Sequence, residues 1–152
     1  MRILIAEDDP IYRRMLESAL LKWGYEVVVA KDGTEAWQAL QSQNAPKLAI
    51  LDWMMPGMDG VDIIKKIRKN PKLKNNYIIL ATAKGYKEDI TAGLRFGADD
   101  YITKPFEREE IRDSVKNGVQ ALEMRAAKNQ NQLQENLIVE SMTNGKNSET
   151  VS

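Results

Sequence analysis

The chain has 152 residues, with 22 Lys+Arg against 22 Asp+Glu and neither histidine nor cysteine, and that length fits roughly one domain. The missing side chains exclude thiol nucleophiles, disulfide frameworks, iron–sulfur ligation, Ser-His-Asp relays and zinc held by thiolate or imidazole. The formal net charge of +0 argues against the basic footprint of a direct nucleic-acid binder, and no apolar run approaches the roughly 18 residues that a membrane span needs.

Ile3-Leu4-Ile5-Ala6 is the first strand candidate, and Met1-Arg2 leads into it without a signal-peptide pattern, so a cytoplasmic protein is expected. Asp9-Pro10 reads as a helix N-cap followed by proline at the first helical position. In the helix that follows, Ile11, Met15, Ala19 and Leu20 form the predicted inner face, with Arg13, Arg14, Glu17 and Lys22 largely outside, and Gly24 closes it. Glu26-Val27-Val28-Val29-Ala30 is the second strand; Asp32-Gly33-Thr34 reads as a turn, and helical sequence then continues to about residue 43. Leu48-Ala49-Ile50-Leu51 is the third strand. Asp59-Gly60 is predicted to cap a helix over 60–69, which Asn70-Pro71 ends. Tyr77-Ile78-Ile79-Leu80-Ala81 is the fourth strand, followed by a helix over 87–96 that stops at Phe96-Gly97-Ala98. Asp100-Tyr101-Ile102 is the fifth, and the last helix runs from 107 to beyond 122.

Three of these strands are apolar throughout, which suits strands buried on both faces of a parallel sheet. The predicted class is therefore α/β, a (βα)5 doubly wound parallel five-stranded sheet with helices on both faces and an extended C-terminal helix. The expected organisation is a domain over 1–122, a helical extension over 123–141, and a tail over 142–152 whose polar composition predicts disorder.

In such a sheet, ligands bind beyond the carboxyl ends of the strands. Glu7 and Asp8 follow the first strand, Asp52 the third, Thr82 the fourth and Lys104 the fifth. Carboxylates gathered at one place repel each other unless a cation sits among them. Oxygen ligands without any softer donor favour Mg²⁺. Metal, ammonium and hydroxyl together match the needs of a transferring phosphoryl group, with one carboxylate as nucleophile. Asp9 is better read as the helix cap than as a ligand.

Four segments carry a resemblance: Ile5-Ala6-Glu7-Asp8-Asp9, Leu51-Asp52-Trp53-Met54-Met55-Pro56-Gly57-Met58-Asp59-Gly60, Ala81-Thr82-Ala83, and Gly97-Ala98-Asp99-Asp100-Tyr101-Ile102-Thr103-Lys104-Pro105-Phe106. In this order, over roughly residues 1 to 122, the chain resembles the receiver domain of two-component response regulators. The resemblance implies a flavodoxin-like fold in which Asp52 accepts the phosphoryl group. It also implies a Mg²⁺ site built from Glu7, Asp8, Asp52 and the backbone carbonyl of Met54. Lys104 and Thr82 are implied to contact phosphoryl oxygens, Thr82 and Tyr101 to act as the switch pair, and the Lys104–Pro105 bond to be cis. The implied partners are a histidine kinase or histidine phosphotransfer protein and a downstream protein effector. That effector would read the face of the fourth helix, fifth strand and fifth helix, with a phosphorylation-dependent homodimer as a further possibility.

The implied protein is not an enzyme towards other molecules; it catalyses its own phosphorylation and dephosphorylation. Two other readings stand beside it. A small-molecule phosphatase with an aspartate nucleophile is disfavoured because Met54 stands where such chemistry needs a second acid. A receiver-like protein that binds partners without phosphorylation is disfavoured because every site position is filled. Trp53, beside Asp52, is expected to report ligand binding by fluorescence.

Overall fold

The computed structural model describes the backbone of residues 1–151 and the side chains of residues 1–144. Five strands, β1 (Arg2–Ala6), β2 (Glu26–Ala30), β3 (Leu48–Leu51), β4 (Tyr77–Thr82) and β5 (Asp100–Thr103), alternate with five helices. These are α1 (Pro10–Lys22), α2 (Gly33–Leu40), α3 (Gly60–Lys69), α4 (Lys87–Phe96) and α5 (Arg108–Val151). All strand pairs are parallel, in the order β2-β1-β3-β4-β5. The strand order reverses direction between β1 and β3, so a crevice opens past their carboxyl ends.

The two-residue period of the strands divides the core. Ile3, Ile5, Leu48, Ile50, Ile79 and Ala81 point to one face and pack with Leu16 and Leu20 of α1 and Ile111 and Val115 of α5. Leu4, Ala6, Ala49, Leu51, Ile78 and Leu80 point to the other and pack with Ala36, Leu40, Ile63, Ile64 and Ile67 of α2 and α3. The central strands are thus buried on both sides, as their uniform apolar character predicts.

Several local expectations hold. Asp9 caps α1 by accepting from the Ile11 N–H at 2.8 Å, with Pro10 starting the helix. Gly24 follows the Trp23 C-cap at φ +90°, a conformation that favours glycine. Asp59 caps α3 through the Asp62 N–H at 2.8 Å, and the Lys104–Pro105 bond is cis.

Two readings are corrected. The buried face of α1 is Leu16, Ala19 and Leu20, whereas Ile11 is 77% exposed. Each four-residue step advances about 40° around a helix, so a run from Ile11 through Met15 to Ala19 drifts off one face. Asp32-Gly33-Thr34 is the start of α2 rather than a free turn. Asp32 accepts from the Glu35 N–H at 2.8 Å, and Glu35 Oε2 accepts from the Lys31 N–H at 2.6 Å, a reciprocal capping arrangement.

The C-terminal helix does continue past the domain. Leu122 is buried, and every residue of 126–144 is exposed. Residues 142–144, predicted as the start of a disordered tail, extend the helix, since adding a residue to an existing helix is far easier than nucleating one. The side chains of the rest of that tail, 145–152, lie outside the described residues.

Candidate functional site

β1 and β3 deliver the carboxylates. The Asp52 N–H donates to the Ala6 carbonyl at 2.9 Å and the Glu7 N–H to the Ala30 carbonyl at 3.2 Å. This continues the sheet's hydrogen bonding by one residue and sets both side chains at its rim. Glu7 is 2% exposed and Asp52 9%, while Asp8 points to solvent. One oxygen from each of Glu7, Asp8 and Asp52 falls within 4.8 Å of the others. The loop after β3 is drawn in tightly, because the Gly60 N–H donates to the Trp53 carbonyl at 2.7 Å. A Cβ on Gly60 would lie 2.3 Å from the Asp52 carbonyl oxygen, so no larger residue allows α3 this approach.

Lys104, arriving from β5, closes the group. Its ammonium donates to Asp52 Oδ2 at 2.9 Å and to Glu7 Oε1, and it lies 4.4 Å from the centroid of the Tyr12 ring. Burial pushes the Lys104 ammonium down in pKa, but the two carboxylates together push it further up, so it stays charged. Burial, reinforced by the Asp52 carboxylate and opposed by Lys104, pushes the Glu7 carboxyl up to about 8. Burial and the neighbouring Asp52 carboxylate together outweigh the attraction of the one ammonium.

The same imbalance tests the site for a cation. Glu7 Oε2 is a buried oxygen without a hydrogen-bond partner among the described residues, and such an atom calls for a proton, a water or a metal. The donor set is all oxygen and includes no imidazole or thiolate. The residues therefore fit a hard divalent cation such as Mg²⁺, with Glu7, Asp8 and Asp52 able to hold it. Met54 lies at the lip of the cleft with its side chain 66% exposed.

Thr82 and Tyr101 lie on the opposite flank. Thr82 is 2% exposed at the end of β4, and its hydroxyl accepts from the Lys84 N–H at 3.4 Å. It borders a cavity of about 410 Å³ shared with Asp52 and Ala83. Tyr101 is half-buried, packs edge-on to Trp53 with ring centroids 6.5 Å apart, and donates its hydroxyl to the Lys84 carbonyl at 2.5 Å. Burial, with help from Asp89 and Asp52, pushes this phenol up to about 12, so it remains a donor.

The structure brings Glu7, Asp8, Asp52, Thr82 and Lys104 to one end of the sheet, as the sequence predicts. Two contributors were not foreseen. Arg13, assigned to the outer face of α1, turns back to donate to the Glu7 and Asp8 carbonyls at 3.1 and 3.2 Å. Its position one turn after the cap was the available signal. Tyr12, beneath the Lys104 ammonium, had no signal beyond its place in the same first turn.

A five-stranded doubly wound sheet with an acidic triad, a buried lysine and a threonine at its strand ends defines a receiver domain. A model of the response regulator receiver domain matches residues 3–116, and the chain belongs to this family. It is 35% identical over 116 residues to chemotaxis protein CheY1 of Helicobacter pylori, which covers 76% of this chain and 94% of that protein. The receiver domain of Francisella response regulator 1452 is 30% identical, with a TM-score of 0.71 over 81% of this chain and 98% of that one. The receiver domain of sensor histidine kinase PA1611 from Pseudomonas aeruginosa PAO1 was solved with a magnesium ion coordinated in its active-site cleft. It is 28% identical, with a TM-score of 0.71 over 78% of this chain and 97% of that one. Among the described residues no helix is long and apolar enough to cross a membrane.

Proposed function

We propose that this receiver takes a phosphoryl group on Asp52 from a histidine kinase or a histidine phosphotransfer protein, and that Mg²⁺ is required. The observation that carries the reading is the Asp52 carboxylate, buried at the end of β3, 2.9 Å from the Lys104 ammonium and beside the unpartnered Glu7 Oε2. The Asp52 oxygen attacks phosphorus, the bond from phosphorus to the donor's imidazole nitrogen breaks, and that nitrogen takes up a proton. Lys104 already touches the nucleophile and is placed to follow the negative charge onto the phosphoryl oxygens. Mg²⁺, held by Glu7, Asp8, Asp52 and the Met54 carbonyl, supplies charge neutralisation when bound. Because these 152 residues include no histidine, the phosphohistidine lies outside them.

The new group carries about −1.5 to −2 charges where a carboxylate carried one. Thr82 gains a stronger hydrogen-bond partner, and Tyr101, tied to the same loop through Lys84, follows it. The surface of α4, β5 and α5 is then read by a downstream protein effector or by a second copy of the chain. In this reading the protein is cytoplasmic and catalyses only its own phosphorylation and dephosphorylation. Met54 offers no polar group to orient an attacking water, so the adduct is expected to last minutes rather than seconds.

Incubation with Mg²⁺ and acetyl phosphate tests this by intact mass. A single phosphoryl adduct on the wild type, its complete loss in Asp52→Asn, and its loss on chelation of Mg²⁺ are expected. Steady release of inorganic phosphate without an adduct would instead mark a small-molecule phosphatase, and neither signal would mark a receiver that binds without phosphorylation.

A further inference from the structure

Lys84 is the second residue after Thr82, and its ammonium lies 4.7 Å from the centroid of the Trp53 ring. Trp53 in turn directly follows Asp52. Lys84 has no carboxylate within ion-pair distance among the described residues, whereas Lys104 contacts two. The Lys84 backbone is held at both its polar groups, its carbonyl by the Tyr101 hydroxyl and its N–H by Thr82. The side chain is therefore the mobile part of this residue. It lines both clefts that flank the phosphoacceptor, one with Asp8 and Trp53 and the other with Asp52 and Thr82.

These contacts make an asymmetric pair. An ammonium over an indole face at a half-exposed site is a weak attraction. An ammonium on a phosphoryl group makes charge-assisted hydrogen bonds to a partner of nearly two charges. Lys104 has three N–H donors, two of them already committed to Glu7 and Asp52. Each phosphoryl oxygen can accept more than one bond, so beside Mg²⁺ and Lys104 the group leaves room for a second ammonium. We propose that Trp53 is the resting place of the Lys84 ammonium and that a phosphoryl group on Asp52 draws it off the indole to bind as that second ammonium. The proposal rests on the assignment of Asp52 as phosphoacceptor. It assigns Lys84 a direct anion-binding role and makes Trp53 the reporter of its departure, because removing a cation from an indole face changes that ring's emission.

The experiment uses the full chain with Mg²⁺ and beryllofluoride as the phosphoryl mimic, read by tryptophan emission, with acetyl phosphate and intact mass in parallel. Beryllofluoride is expected to change wild-type emission, and Trp53→Phe to remove that change, which separates Trp53 from Trp23 and Trp37. Lys84→Met should weaken beryllofluoride binding about fivefold and cut the emission change by more than half, while Lys84→Arg restores both. Unchanged affinity and emission response in Lys84→Met would overturn the proposal, as would failure of Lys84→Arg to restore them. If the wild type takes up neither beryllofluoride nor phosphoryl, the Asp52 assignment fails and the role of Lys84 falls with it. If the mass adduct forms normally and Lys84→Met behaves as wild type, only the role of Lys84 is lost.

Discussion

At the carboxyl end of the sheet three carboxylates, Glu7, Asp8 and Asp52, gather, and the Lys104 ammonium reaches two of them, Glu7 and Asp52. At the amino end one carboxylate, Asp99, is shared by two guanidiniums. Arg68 donates to Asp99 Oδ2 at 2.8 Å and Arg125 to Oδ1 at 2.9 Å, and the Ile78 N–H adds a third bond at 2.7 Å. Arg68 spends its other donors on the Gly97, Lys74 and Asn76 carbonyls, and Arg125 on the Asn75 and Asn76 carbonyls. One cluster is saturated and binds elements together. The other has an unpartnered oxygen and a shifted carboxyl, and so is left able to take a cation and change its charge. Charge density alone does not mark a reactive site; unmet hydrogen-bonding capacity does.

The largest test of this contrast is to remove the hub of the saturated cluster. Asp99→Ala leaves two guanidiniums without their carboxylate and the Ile78 N–H without an acceptor. The cost should be about 2–3 kcal/mol, below the range for fully buried pairs because the arginines are partly exposed. Urea denaturation measures it, and phosphorylation of the surviving folded protein should be unimpaired. A loss below about 0.5 kcal/mol, the ordinary range for surface changes, would show that the guanidiniums find water instead.

The reactive cluster should behave in the opposite sense. In metal-free protein Glu7 titrates near 8, against 4.5 for an ordinary glutamate. Between these values the folded state holds a proton that the unfolded chain has released, so stability falls as pH rises from about 4.5 to about 8 and levels off beyond. Glu7→Gln mimics the protonated form. It should erase that slope and be more stable than the wild type at pH 9 without Mg²⁺, by about 1–3 kcal/mol, although it removes one of the carboxylates proposed to hold the metal. Paired urea melts at pH 5 and pH 9 in a chelator decide this; parallel pH profiles for the two proteins would contradict it.

How much of this was visible in the sequence follows from where each residue sits. The strands were legible because burial on both faces leaves unbroken apolar runs such as Leu48-Ala49-Ile50-Leu51. The site was legible because each of its side chains lies at or within two residues of the carboxyl end of a strand, so topology alone collects them. The inner face of α1 was misread at Ile11, which is exposed while Ala19 and Leu20 are buried as expected, because successive four-residue steps drift about 40° each around the helix. The Arg68–Asp99–Arg125 cluster was invisible for a different reason: it joins α3, the residue before β5 and the middle of α5, and no spacing rule links those positions. The contact between Lys84 and Trp53 was hidden likewise, since it depends on how the loops after β3 and β4 fold towards each other.

The smallest expected effect concerns where the domain ends. Leu122 is the last buried side chain described in α5, yet Arg125 still reaches back to Asp99 and to the Asn75 carbonyl, with its guanidinium 5.6 Å from the Tyr77 ring centroid. Beyond it, residues 126–144 are exposed on all sides and make no core contact. A helix projecting this way is stabilised only by propagation from its anchored base, and that gain is close to zero per residue. The anchor therefore governs the register in which the extension leaves the domain. Arg125→Ala should cost about 1 kcal/mol or less in global stability, since the guanidinium is partly solvated. Amide exchange over residues 123–130 should nevertheless quicken severalfold, because fraying can then begin at Leu122. Asp99→Asn keeps the carbonyl acceptor for Ile78 but weakens both guanidinium contacts, and should quicken the same amides. If exchange there is unchanged in both variants, the extension holds itself, and the saturated cluster binds α3 to β5 without reaching α5.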